Sequence, residues 1–232
     1  MISYSDFISR GFNLDSTFRC PLMCPNCQRQ YIYTNEGKTV PGEDLDIINF
    51  MKMIKYLKKG SVKNLHSEDA KSSHHPQMMK RGHINFEGQY SDPVHHPKFL
   101  EMLELCYKHK VGVSVQHASS AKPFNWYIKA FKINPLVKWK FSIDGLPKDS
   151  HKYRINQDGE KLFNVMKEST KYLRNKPSWQ YIIFNYNEND IEEARSLANE
   201  IGVDFYTLQS SRWNEKCDLS YKPSEKYLLK NV

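Results

Sequence analysis

Cys20, Cys24 and Cys27 are the residues of this sequence best suited to chemistry. They are three thiols within the stretch Cys-Pro-Leu-Met-Cys-Pro-Asn-Cys, spaced C-x3-C-x2-C. Thiolates are soft ligands, and several on one tight loop suit zinc or an iron–sulfur cluster. A closed structural site takes four ligands, yet the next histidine is His66 and the next cysteine is Cys106. A four-iron cluster held by three thiolates leaves one iron open to a ligand from outside the protein. A zinc knuckle completed by a distant His or Cys is the other reading, and it stays open at this point. The prolines and Asn26 describe an exposed loop rather than a packed segment.

The flanking elements must position those thiols. Residues 12–19 alternate apolar and polar, as a strand does, and deliver the cysteine loop at the strand's C-terminal end. That is the end where parallel α/β barrels carry their chemistry. Residues 34–42 are turn-rich. A helix is expected from Glu43 or Asp44 to Lys58, stopped by Gly60. Residues 61–82 are polar and read as an insertion or mobile loop; His66, His74, His75 and His83 show no ligand-like spacing. A second strand, His83 to Phe86, runs into Gly88-Gln89-Tyr90-Ser91-Asp92-Pro93, a turn where backbone can approach a ligand closely.

The remaining elements follow at regular intervals. An amphipathic helix carries Phe99 to Cys106, with Cys106 among its apolar positions as a buried thiol. A third strand spans 111–117. Ser119 and Ser120 can cap a helix from Phe124 to Phe131. Residues 137–145 form a strand ending in Ser142-x-Asp144-Gly145, whose hydroxyl and carboxylate share one face. A helix is expected over 159–175, a strand over 179–187 with Asn185 and Asn187 at its end, a helix over 190–201 and a strand over 203–208. Six β-α units in one chain predict an α/β fold with a parallel sheet and helices outside. Six units do not complete an eight-stranded barrel, so the sheet should stay open on one side and admit a large substrate.

Taken together these motifs resemble the radical S-adenosylmethionine (SAM) superfamily, over roughly residues 12–212. The resemblance implies a partial (β/α)6 barrel with a [4Fe-4S] cluster on Cys20, Cys24 and Cys27, and with SAM chelating the open iron. One electron from the cluster then cleaves SAM to a 5′-deoxyadenosyl radical that abstracts a substrate hydrogen. Gly88 to Pro93 is similar to the family's glycine-rich motif for the methionine amino group. There Gly88, Tyr90, Ser91 and Asp92 would contact SAM, Asp92 taking the acidic position and Ser91 replacing a glycine. Ser142 and Asp144 match the strand that contacts ribose and methionine polar groups. Arg154 stands where peptide-modifying relatives pair an arginine with the SAM carboxylate, a task that suits a guanidinium. Asn185 lies where polar residues reach adenine or ribose, and His117 near a strand end facing the site. Asn26 departs from the pattern: the family has an aromatic residue there, packed near the adenine.

Size and charge set the remaining expectations. The chain has 232 residues, enough for one sizeable domain, here residues 1–212, followed by a tail over 213–232. Peptide-modifying relatives carry a cysteine-rich domain with extra clusters; Cys217 alone cannot hold a second cluster, so a single one is expected here. No apolar run reaches the about 20 residues of a membrane helix, and the N-terminus lacks the regions of a signal peptide. A cytoplasmic protein with reduced thiols is expected, supplied with electrons by a flavodoxin or ferredoxin. The net charge of +8 comes from scattered lysines without a basic block, which permits a nucleic-acid partner without indicating one. The substrate can be peptide, nucleic acid or metabolite, with a peptide or protein favoured. The competing class is a non-catalytic zinc- or cluster-bearing binding module, recruited to nucleic acid by its charge.

Overall fold

The structure, a computed structural model, describes residues 12–37, 42–60, 82–88, 90–210, 213–214 and 216–229. Strands β1 (Phe12–Asn13), β2 (His83–Phe86), β3 (Gly112–His117), β4 (Lys138–Ser142), β5 (Ser178–Ile182) and β6 (Asp204–Leu208) form one sheet in sequential order. Every neighbouring pair is parallel. The helices are α1 (Gln28–Glu36), α2 (Ile47–Gly60), α3 (Phe99–His109), α4 (Phe124–Ile133), α5 (Gly159–Ser169) and α6 (Ile191–Glu200). Parallel neighbours joined in sequence need crossovers of one hand, which gathers the helices on one face and curls the sheet toward a barrel. Among the described residues β1 and β6 each pair with one neighbour only, so the barrel stays open.

Strand periodicity sorts the side chains between the two faces. Ile84, Phe86, Val113, Val115, Trp139, Phe141, Trp179 and Tyr181 face the helices and form the main core with Phe99, Met102, Tyr127, Phe131, Leu162 and Val165. Cys106 is buried in that core, as its apolar neighbours predict. The residues between them on the strands are polar and bond one another across the inner face. Asn85 donates to Asn13 (3.0 Å), His83 pairs with Ser114 (2.9 Å), Lys140 with Glu87 (3.0 Å), and Tyr206 donates to Gln180 (3.0 Å). A closed eight-stranded barrel fills its interior with branched apolar side chains; this one lines its interior with hydrogen-bonding groups.

Several boundaries differ from the sequence expectation for local reasons. β1 stops at Asn13, although Leu14 N–H still donates to the Asn85 carbonyl. Residues 14–19 turn toward the start of α2: Leu45 N–H donates to Ser16 O, and Arg19 and Thr17 both bond Asp44. Residues 34–36, expected as turn, complete α1, which Gly37 ends in the left-handed region at φ 60. The segment expected as a polar insertion lies outside the described residues except Gly82, which is buried. Ser119 and Ser120 do not cap α4, whose N-cap is Pro123; Ser120 Oγ instead accepts from Asp158 N–H (2.7 Å). α5 ends at Ser169, short of 175. Ser169 and Thr170 hydroxyls bond the Met166 and Lys167 carbonyls and the chain tightens into turns. β5 ends at Ile182 because buried Asn187 folds the next residues into a turn, accepting from Phe184 N–H and donating to Ile182 O. Among the described residues no helix is long and apolar enough to cross a membrane.

Candidate active site

The cysteine loop sits over the C-terminal ends of the strands and is tied to separate segments of the chain. Met23 N–H donates to Ile155 O (3.1 Å), and Asn156 Nδ2 donates to Pro21 O (3.0 Å). Asp92 N–H donates to Arg19 O (3.0 Å) just before Cys20. Arg29, in the first turn of α1, donates to the carbonyls of Phe18 and Tyr90. One guanidinium thus joins the start of the cysteine loop to the loop after β2. Cys27 is the N-cap of α1, so the third thiol stands at a helix N-terminus, where negative charge is favoured.

All three cysteines line one cavity of 480 Å³, together with Gly88, Tyr90, Ser91, Asp92, Ser142 and Arg154. A neighbouring cavity of 390 Å³ shares Cys24, Cys27, Gly88 and Arg154 with it. Burial pushes the Cys20 thiol up to about 12, with the nearby Asp92 carboxylate adding to it. Burial also pushes Cys24 up to about 11, opposed by the Arg154 charge. Metal binding to these two groups would therefore release protons. Among the described residues no three His, Cys, Asp or Glu side chains gather as ligands of a single metal ion. Each thiolate of a four-iron cluster bonds a different iron, so its ligands need not converge on one point. Three thiols facing one cavity are the protein donors that such a cluster would need.

The acid of the glycine-rich turn is deeply committed. Asp92 is 3% exposed; its carboxylate accepts from the N–H groups of Val94 (3.3 Å), Ala118 (2.8 Å) and Ser119 (2.7 Å). It therefore fastens the turn after β2 to the segment after β3. Burial raises its pKa to about 6, against the pull of those N–H groups. Ser91 donates to Asp15 (3.0 Å). A Cβ on Gly88 would overlap the Ser91 carbonyl, so glycine is needed there for close packing within the turn.

Behind Arg154, Asp144 has no exposed surface and accepts from Ile182 N–H (2.7 Å). It lies 2.7 Å from Arg154 Nε, whose side chain is 12% exposed. Burial raises the Asp144 pKa and Arg154 opposes it. Burial lowers that of Arg154, but the charges of Asp144, Cys24 and Tyr153 raise it more. The two face each other as an ion pair, and Arg154 carries its cation to the cavity beside Cys24. Asp144 does not line that cavity; it orients the arginine that does. Ser142 lines the cavity and is 3.4 Å from Gln180 Nε2.

One expected contact residue is placed elsewhere, and another reaches the cavity only as part of its wall. Asn185 is exposed, donating from its side chain to Ser220 O and from its backbone to Tyr221 O; it holds the C-terminal segment. His117 is 2% exposed among Tyr127, Trp139 and Phe141, though it forms part of the cavity wall. Burial lowers its pKa to about 3, so it is neutral. Sequence reasoning missed Gln157, which is buried, accepts from Ser150 and donates to the carbonyls of Ala118 and Ser142. It also missed Arg29, Asn156 and Gln116, the last of which lines both cavities. These residues carry no local motif; their roles exist only once distant loops meet.

This arrangement of strands and loops has solved counterparts. The fold is that of SuiB. Over 91% of this chain and 42% of SuiB from Streptococcus suis, the two superpose with a TM-score of 0.63 at 12% identity. SuiB bound to S-adenosylmethionine matches over 89% of this chain and 42% of its own, with a TM-score of 0.60 at 12% identity. SuiB bound to precursor peptide SuiA matches over 84% and 38%, with a TM-score of 0.61 at 10% identity. The chain thus spans about two fifths of the length of these SuiB chains. No family profile and no curated protein sequence matches it.

Proposed function

We propose that this protein is a radical SAM enzyme acting on a peptide or protein. The observation that carries the reading is one cavity lined by all three thiols together with Arg154 and Arg29. Cys20, Cys24 and Cys27 would hold a [4Fe-4S] cluster. When bound, such a cluster supplies the electron that cleaves SAM and so gives access to a radical able to abstract a substrate hydrogen. Arg154, held by Asp144, offers a fixed cation for the SAM carboxylate. Gly88, exposed and lining the same cavity, offers its backbone to the methionine amino group.

The chain's own residues would also exclude water. Leu22, Tyr153 and Phe184 close an apolar wall behind the thiols, where a low dielectric strengthens the electrostatics. A peptide substrate is supported by the SuiB structure bound to SuiA and by the open side of the sheet. The polar inner face suits a substrate presenting hydrogen-bonding groups to the strands. We further propose a cytoplasmic protein that receives electrons from a flavodoxin or ferredoxin. The test is anaerobic reconstitution with iron and sulfide, then incubation with SAM and dithionite. Wild type is expected to turn brown and release 5′-deoxyadenosine, and Cys24→Ala to do neither. A colourless wild type that leaves SAM intact would overturn the reading.

A further inference from the structure

Asn26, one residue before the third cysteine, is fully occupied by a partner from the far end of the sequence. Its Nδ2 donates to the Asp218 carbonyl (3.2 Å) and its Oδ1 accepts from the Asp218 N–H (2.7 Å). A primary amide can satisfy both polar groups of one residue in this way; an aromatic ring cannot. The contact starts a run of attachments. The Asp218 carboxylate accepts from Ser220 N–H (3.0 Å) and Oγ (2.6 Å), forming the short turn Leu219–Tyr221. That turn delivers Tyr221, whose hydroxyl donates to Lys152 O (3.0 Å) and whose ring meets Tyr153 edge-on at 5.2 Å. Trp213 meets Phe184 edge-on at 6.2 Å. Both rings pack against the apolar group that contains Leu22, Cys24, Tyr153 and Phe184, with Cys20 and Cys27 at its edge. Asn185 fixes the far end through Ser220 and Tyr221.

We propose that residues 213–214 and 216–221 strap the outer side of the cysteine loop, fastened by Asn26 as a positioning residue. The strap holds the thiols in place whether or not a metal is bound. This inference rests on the contacts alone and stands apart from the proposed reaction. Loss of the two Asn26 bonds should raise the open population of the loop about tenfold.

The test is pulsed iodoacetamide labelling of the metal-free, full-length protein at fixed pH, read cysteine by cysteine by mass spectrometry. Asn26→Ala is expected to speed labelling of Cys24 and Cys27 about tenfold, leaving core Cys106 protected. Asn26→Asp keeps the acceptor and loses the donor, and should fall between the two. Asp218→Pro breaks the contact from the other side: φ at Asp218 is −71, which proline accepts, and the N–H is removed. It should speed the same two cysteines. Wild-type labelling rates at Cys24 and Cys27 in Asn26→Ala and Asp218→Pro would overturn the proposal. So would Cys106 becoming labelled in step with them, since the contact would then support the whole fold rather than the loop.

Discussion

At the scale of single residues, the site depends on charges that are buried and answered. Asp144 has no exposed surface, and its charge is balanced by Arg154. Removing one member of a buried pair leaves an uncompensated charge and costs about 3–5 kcal/mol. Arg154→Ala should therefore lower stability by about that much near neutral pH. With the arginine gone, burial is opposed only by the Ile182 N–H, and the pKa of Asp144 rises further. Its charge penalty then disappears as pH falls and the carboxyl takes a proton. Urea unfolding of Arg154→Ala and wild type at acid and neutral pH should show the gap widening as pH rises; a constant gap would contradict the pairing. Asp92 gives a second check. Its folded pKa of about 6 lies above the ordinary value of about 3.9, so the folded state holds that proton more tightly. The contribution is full below about pH 4 and is lost as pH rises through about 6. Asp92→Asn has no such proton, so wild type should lose stability relative to it over that window. Parallel curves would rule the assignment out.

At the scale of elements, the strands and helices were legible because their side chains repeat with the right period. The strand His83–Phe86 was read at its observed ends, and Trp139, Phe141, Trp179 and Tyr181 fall on the buried face that alternation requires. The cysteine loop was legible from spacing alone. What the sequence hid was the partner of each loop. Asn185 reads as a site residue by position, yet its amide is spent on Ser220. Arg29 and Gln157 carry no pattern, yet each joins segments that are far apart in sequence. The loop between β4 and α5 shows how tight these junctions are. A Cβ on Gly159 would overlap the Pro147 carbonyl and Ser150 Oγ, and a backbone carbonyl cannot swing aside. Gly159→Ala should therefore destabilise by about 1–3 kcal/mol, lowering the midpoint of thermal unfolding. An unchanged or raised midpoint would show that α5 can shift without disturbing the segment that carries Arg154.

At the scale of the whole molecule, an apolar core outside the sheet supports a polar face within it. Trp179 is fully buried, with its indole N–H donating to Ile143 O (2.8 Å) just past the end of β4. Trp179→Ala should cost about 3–5 kcal/mol in urea unfolding. The half-exposed Lys140–Glu87 pair on the inner face contributes at most about 1 kcal/mol, so Lys140→Met should barely change the midpoint. That contrast would assign stability to the outer layer and leave the inner face to ligands; equal losses would refute the division. The central claim is that a cluster on Cys20, Cys24 and Cys27 keeps one iron for SAM. Its most direct test is electron paramagnetic resonance of the reconstituted, dithionite-reduced protein, recorded before and after SAM is added. The account requires a reduced-cluster signal that changes shape with SAM in wild type and is missing from Cys24→Ala. A signal indifferent to SAM, or no iron–sulfur signal from wild type, would contradict it.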